Sequence, residues 1–331
     1  MPAVRGGETP AAKGVPPELS WRRKPKAARK VVHMELRQLR YFLAVAERLH
    51  FARAAESLHI SQPTLSQQIR ALEEELGVQL FQRNKRHVAL TADGEALLAY
   101  ARQLVALADD VREEFAERSG LRRGRVRLGA TPTLGSHLVP RVIGGFFKMY
   151  PGLELTLCQD GSDGLVRQLE QGGLDLALLA EGQEAQGIAF EPLLEEEIVV
   201  VLGPEHPLAG RASVRMEELR EEGFILCGEG YRLRSLTLAA CESAGFTPRT
   251  AVSGTDIHTA LQFVQAGLGV TLAPRLAVEG VAGVAVARIE APALKRTVGI
   301  AWNPQRYLSQ AATAMRDYLM GVLRRGSGGI G

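Results

Sequence analysis

Gln62, Thr64, Ser66, Gln67 and Arg70 crowd the start of a stretch that otherwise reads as an amphipathic helix, "HISQPTLSQQIRALEEELG", residues 59–77. None of them helps a core. Amides of this kind pair with adenine edges, hydroxyls bond to bases or phosphates, and a guanidinium reaches phosphate or guanine. The chemistry on offer is therefore recognition of a duplex. An ordinary solvated helix face would show a similar composition, because small polar residues at a helix start are common caps. The elements around the segment have to decide.

Those elements are legible from spacing. Leu65, Ile69, Leu72 and Leu76 recur at steps of four, three and four, which defines a buried stripe. Ser61 is placed as N-cap, Pro63 in the first turn where its missing donor costs nothing, and Gly77 as the stop. Upstream, "LRQLRYFLAVAERL" and "FARAAESLHI" read as two shorter helices, with His59 and Ile60 in the turn. Helix, tight turn and capped helix is helix-turn-helix architecture, in which the second helix enters the major groove with its N-terminal residues against base edges. The expected DNA face is Ser61, Gln62, Pro63, Thr64, Ser66, Gln67 and Arg70. Downstream, "VQLFQRNKRHVALT" gives two short β-prone runs, 80–82 and 88–90, around a polar turn. That is a wing, and Arg83, Lys85 and Arg86 are its expected contacts to the DNA backbone or minor groove.

Thr91 then caps a long helix with Asp93 in its first turn. Along it Leu97, Ala101, Leu104, Ala108, Val111 and Phe115 repeat as a heptad seam. A single helix after a small winged domain has little to bury such a seam against, so pairing with a second subunit is expected, presenting two recognition helices to two half-sites; packing against the chain's own second domain is the alternative.

Composition bounds the rest. At 331 residues the chain exceeds one ordinary core, and no run approaches the roughly 20 apolar residues that cross a bilayer. Cys158, Cys227 and Cys241 are scattered without a CxxC pair, which suits a reducing compartment and places the protein in the cytoplasm. No metal or cofactor is expected: the seven histidines form no ligand cluster, and no GxSxG, P-loop, HExxH or GxGxxG stands in a fitting context. Charge is uneven. Residues 1–33 carry eight Lys or Arg against two Glu, a net of +6; the whole chain is +3, so the remainder is −3. The leading segment, rich in Pro, Gly and Ala, reads as a disordered basic extension. Met34 opens the first periodic stretch.

Residues 34 to about 320 resemble the LysR-type transcriptional regulators. "SQPTLSQQI", "LFQR" and "LTADG" carry the resemblance in the first part; "VRLGATPTLGSHLVPRVIGGFFKMYPGLELTL", "LDLALL" and "ALQFVQAGLGVTLAP" carry it in the second. It implies an N-terminal winged helix-turn-helix domain (34–91), a linker and dimerisation helix (92–118) and a two-lobed, periplasmic-binding-protein-like α/β effector domain (124–331). It also implies a homodimer or homotetramer that binds double-stranded DNA, answers a small-molecule effector and works with RNA polymerase. Members that sense peroxide carry a reactive cysteine where this chain has Arg232, so no redox switch is expected.

The second half supports the same division from its own pattern. Strand and helix alternate from "RVRLGA" through "DLALLA", as parallel βαβ units do. A second strand set opens near Glu195, and "KRTVGIAWN" returns to the first, giving lobe 1 as about 124–194 and 296–320 and lobe 2 as about 195–295. Ligands of such folds bind beyond the carboxyl ends of parallel strands, at helix N-termini. Thr131 and Thr133 stand there in lobe 1; Thr255, Arg232 and Arg234 stand there in lobe 2. An arginine among helix N-termini suits a small carboxylate, and the opening "MELRQLRYF" matches members that recognise aromatic acids. A solute receptor of similar two-lobed shape is the competing reading, opposed by the helix-turn-helix.

Overall fold

The computed structural model describes residues 33–84, 87–118, 124–182, 187–290 and 293–326. Of the expected basic extension all but His33 lies outside these, as do Lys85 and Arg86.

The chain begins with α1 (Leu36–Arg48), α2 (Phe51–Ser57) and α3 (Gln62–Leu76). Leu65, Ile69 and Leu72 of α3 are fully buried with Leu39, Phe42 and Val45 of α1 and Ala54 of α2, so the predicted stripe is the core. Local chemistry sets the ends of α3. Ser61 Oγ accepts from Thr64 N–H at 3.3 Å, Pro63 occupies the first turn, and Gly77 stops the helix at φ +73°, a left-handed conformation that costs glycine nothing. The wing is β1 (Phe81–Asn84) antiparallel to β2 (His87–Leu90), displaced slightly toward the tip from the predicted runs. Next comes α4 (Ala92–Arg118), capped by Thr91 Oγ1, which accepts from Gly94 N–H at 3.0 Å.

Lobe 1 holds β3 (Arg125–Ala130), α5 (Val139–Met149), β4 (Glu154–Gln159), α6 (Ser162–Gln171) and β5 (Leu176–Ala180). β3 pairs parallel with both β4 and β5, as the alternation predicts. α5 is entered through a wide turn, Leu134–Leu138, in which Val139 N–H bonds back to Leu134 O; Pro140, with no N–H to give, favours this irregular entry. β5 is buried at every position, with Leu176 and Leu178 against α5 and the last helix of the chain on one face and Ala177 and Leu179 against α6 on the other. Two-sided burial explains its unbroken apolar run.

The crossover strand β6 (Ala189–Leu202) belongs to both lobes. Lobe 2 adds β7 (Ser213–Val214), β8 (Gly223–Cys227), α7 (Arg232–Ser243), β9 (Arg249–Thr255), α8 (Ile257–Gln265), β10 (Thr271–Pro274), α9 (Arg275–Val278) and β11 (Ala285–Ile289). The chain returns through β12 (Lys295–Trp302) and ends in α10 (Gln310–Gly326). One sheet in the order β4-β3-β5-β12-β6-β11-β7, with β10 also on β6, runs through both lobes; β8 and β9 form a separate parallel pair. The lobe boundary drawn from sequence at 194/195 thus falls inside a single strand, and α10 extends past 320. The two crossing strands are fastened at that boundary by Lys295–Glu195 at 3.0 Å and Arg296–Glu196 at 2.6 Å.

Candidate nucleic-acid interface and effector cleft

Burying Leu65, Ile69 and Leu72 turns the opposite side of α3 outward. Ser61, Gln62, Pro63, Thr64, Gln67 and Arg70 are exposed and Ser66 partly so. Within this set Ser61 and Thr64 are engaged with each other, hydroxyl to hydroxyl at 2.7 Å, which leaves the longer amides and Arg70 as the reaching groups.

Arg83 departs from expectation. It is exposed but already engaged within its own domain: its Nη2 donates to Glu73 Oε2 at 2.7 Å and its guanidinium lies 4.9 Å from the Phe51 ring centroid. Glu73, 3% exposed, also accepts from Leu80 N–H at 2.9 Å and Phe81 N–H at 3.3 Å. A buried carboxylate must be paired, and Arg83 supplies the charge. This pair clamps the wing to the back of α3. Sequence reasoning missed Glu73, whose setting in "LEEEL" looks like a solvated acidic run; its place beside Leu72 in the buried stripe was the available signal.

The dimerisation seam is likewise revised. Ala101 is fully buried in the core of its own N-terminal domain and Leu97 packs against the same core, because the first turns of α4 lie on α1. Ala101 is closed to a partner and Leu97 is only partly exposed. Leu104, Val111 and Phe115 are exposed and Ala108 is half-buried; Tyr100 (65%) and Leu107 (57%) join them in one exposed apolar stripe.

Between the lobes the surfaces meet. Asp163 N–H, at the start of α6, donates to Gly230 O of lobe 2 at 3.4 Å. The Arg232 guanidinium lies against the Gly182 backbone of lobe 1, close enough that a Cβ on Gly182 would stand 2.7 Å from its Nη2. His137 and His258 stack across the same boundary with centroids 5.7 Å apart, and Arg141 of lobe 1 pairs with Glu279. The cleft is closed. Thr131 and Thr133 are buried at the head of the α5 segment, and Thr131 Oγ1 makes no hydrogen bond among the described residues. Thr255 Oγ1 is turned to the Asp256 carbonyl at 2.6 Å. Arg234 is a correction: it folds back to donate to Cys227 O at 3.0 Å and holds its own lobe together.

Electrostatics in the cleft follow from burial and capping. Burial raises Asp256, but N–H bonds from Thr259 and His258 and the Thr259 hydroxyl outweigh it and hold the carboxyl below the usual range. Burial, with Asp256 and Asp160 nearby, pushes the Tyr231 phenol up. Burial also raises the Cys227 and Cys241 thiols, to about 12 and about 11, so both are protonated at neutral pH and poorly nucleophilic. No group of three or more metal-ligating side chains occurs among the described residues, and none of their helices is long and apolar enough to cross a membrane.

Two family models match this layout: the bacterial regulatory helix-turn-helix protein, lysR family, over residues 36–95, and the LysR substrate binding domain over 119–324. The chain belongs to the LysR family of transcriptional regulators. This LysR regulator is 37% identical over 287 residues to the uncharacterized HTH-type transcriptional regulator YybE of Bacillus subtilis (strain 168), covering 87% of this chain and 98% of that one. A full-length variant of OxyR from Pseudomonas aeruginosa, with one cysteine replaced by aspartate, superimposes with a TM-score of 0.67 at 32% identity, covering 87% of this chain and 95% of that one. Full-length CbnR in complex with its target DNA superimposes with a TM-score of 0.66 at 25% identity, covering 88% and 99%. The LysR regulator is a DNA-binding protein with an effector-binding domain, not an enzyme.

Proposed function

We propose that this regulator binds operator DNA as a dimer of dimers, acts in the cytoplasm with RNA polymerase, and is switched by a small anionic effector, an aromatic acid among the candidates, held between its lobes. The observation that carries the reading is the exposed polar start of α3, with Gln62, Gln67 and Arg70 outward over a fully buried Leu65–Ile69–Leu72 stripe. The likeness to a regulator solved on its target DNA supports it. Lys85 and Arg86 of the wing sequence supply backbone contacts, and the Tyr100–Leu104–Leu107–Val111–Phe115 stripe supplies the first dimer contact.

For the effector, the supporting groups are Thr131, Thr133 and Arg232, with Thr255 beside them. An unpartnered buried hydroxyl at a helix start and an arginine lying across the cleft together suit a carboxylate.

One binding experiment tests both halves. Gln67→Ala should relax base choice at one operator position, erasing about 1–3 kcal/mol of discrimination, whereas Arg86→Ala should weaken all duplexes alike and lower the salt slope by about one. Equal affinity of wild type and both variants for every duplex would remove the assigned DNA face. Small carboxylates added to the same complex should change its affinity or its mobility; no response to any of them would remove the anionic-effector half.

A further inference from the structure

Beyond the DNA face and the cleft, the molecule holds a buried charged cluster that neither uses. Asp110 of α4 is 4% exposed. Its carboxylate accepts from Arg306 Nε at 3.1 Å and Nη2, and lies 3.9 Å from Arg127 Nη2. Arg127 in turn pairs with Asp175 and donates to Gly172 O at 2.9 Å. Both arginines belong to lobe 1, Arg127 on β3 and Arg306 just beyond β12.

The surrounding surface is shaped to fit. Gly172 ends α6 at φ +75°; a Cβ there would stand 1.4 Å from Arg306 Nη1 and 2.7 Å from the Ala106 Cβ of α4. Only glycine lets the helix and the guanidinium sit so close. One turn away, Arg102 Nη1 donates to Gln171 Oε1 at 3.0 Å. Arg102, Ala106 and Asp110 are spaced by four and four, one face of a helix, and that face lies opposite the exposed apolar stripe. Beside the contact a cavity of about 540 Å³ separates α1 and α4 from lobe 1. The junction is therefore held at the charged cluster rather than by continuous apolar packing.

We infer that lobe 1 carries a socket for the linker helix and that the Asp110–Arg306–Arg127 cluster is a reversible latch setting the angle between effector domain and DNA-binding domain. A buried ion pair contributes little net stability, because the charges regain hydration when they separate together; it is costly only when one partner is left buried alone. Such a contact has two discrete arrangements of similar free energy, the requirement for a switch. Its two arginines stand on or just past the strands that reach the effector cleft: Arg127 on β3, which leads within four residues to Thr131, and Arg306 four residues after the end of β12, which crosses between the lobes. Arg40 Nη2 to Asp109 Oδ1 at 2.5 Å ties α4 to α1, so rotation of α4 against lobe 1 carries the helix-turn-helix with it. The socket stands on geometry alone; only its consequence for DNA rests on the regulator reading.

The test uses the full-length protein with two variants, Asp110→Asn, which removes the latch charge, and Ala106→Arg, which drives a long side chain against Gly172 at little helix-propensity cost. Small-angle scattering without DNA should shift to a larger radius of gyration in both, with lobe 1 still unfolding at the wild-type temperature. On an operator duplex both should alter the bend angle while affinity stays within about threefold of wild type, roughly 0.7 kcal/mol. Wild-type scattering and bending in both variants would overturn the latch. So would global unfolding of both, which would make the cluster a structural core. Failure of the wild type to bind any duplex would sink the regulator reading and leave the scattering result to decide the socket.

Discussion

Glu73 shows how one side chain converts a helix and a hairpin into a single rigid reading head. Its carboxylate takes two backbone N–H groups from the entry to the wing and the Arg83 guanidinium. Replacing it by alanine leaves Leu80 and Phe81 amides and a partly buried cation unpaired, a loss of about 3 kcal/mol. Glu73→Gln keeps the acceptor oxygen and should cost less than half of that. Denaturant unfolding followed by a signal of the N-terminal domain measures both, and equal midpoints for Glu73→Ala and wild type would show that the clamp contributes nothing. Ser61, Pro63 and Gly77 were legible in sequence because each acts on backbone within three residues of itself. Arg83 was not, since its partner lies ten residues away across a turn, and a cation in "FQRNKRH" carries no mark of whether it faces DNA or a buried acid. Arg234 misled for the same reason: its partner, the Cys227 carbonyl, is visible only once β8 and α7 are packed.

At the scale of the element, α4 reads as one heptad pattern but presents three faces. The first turns bury Ala101 and half-bury Leu97 against α1; Ala106 and Asp110 dock on lobe 1; Tyr100, Leu104, Leu107, Val111 and Phe115 are exposed. Periodicity records that positions are apolar, not what covers them, so the sequence could not divide the seam between the chain's own core and a second copy. An exposed stripe of this kind marks an interaction surface. Leu107→Glu should therefore shift sedimentation toward a smaller oligomer while leaving the unfolding midpoint of the N-terminal domain within about 0.5 kcal/mol of wild type. Ala101→Glu should do the reverse at its own site, burying a charge and unfolding that domain. A Leu107→Glu protein with the wild-type sedimentation coefficient would place the interface elsewhere. Strands were better marked than the helix face: β5 is recognisable by its unbroken apolar run, which only a strand covered on both sides tolerates, whereas β6 gave no local sign that one strand serves two lobes.

For the whole molecule, closure of the lobes is a titratable state. His137 of lobe 1 faces His258 of lobe 2, with Arg141 on the adjoining α5, Glu279 after α9, Glu196 on β6, and Asp256 capping α8 beneath His258. Burial lowers the His137 pKa from the ordinary 6.5, and His258 and Arg141 lower it further, against the opposing pull of Glu279 and Glu196. A histidine whose pKa is depressed in the closed form binds its proton more readily once the lobes part. Closure is thus at full strength above pH 6.5 and weakens as the pH falls through that value toward the depressed one. The Asp163 amide, bonded to Gly230 O across the boundary, reports it: its hydrogen-exchange protection, corrected for the intrinsic rate, should fall between pH 7.5 and 5.5. His137→Gln, which cannot take the proton, should flatten that slope without abolishing closure, since Arg141–Glu279 and the Arg232–Gly182 contact remain. Protection that is constant in the wild type, or a slope that persists in His137→Gln, would show that the stacked imidazoles do not govern how the lobes open.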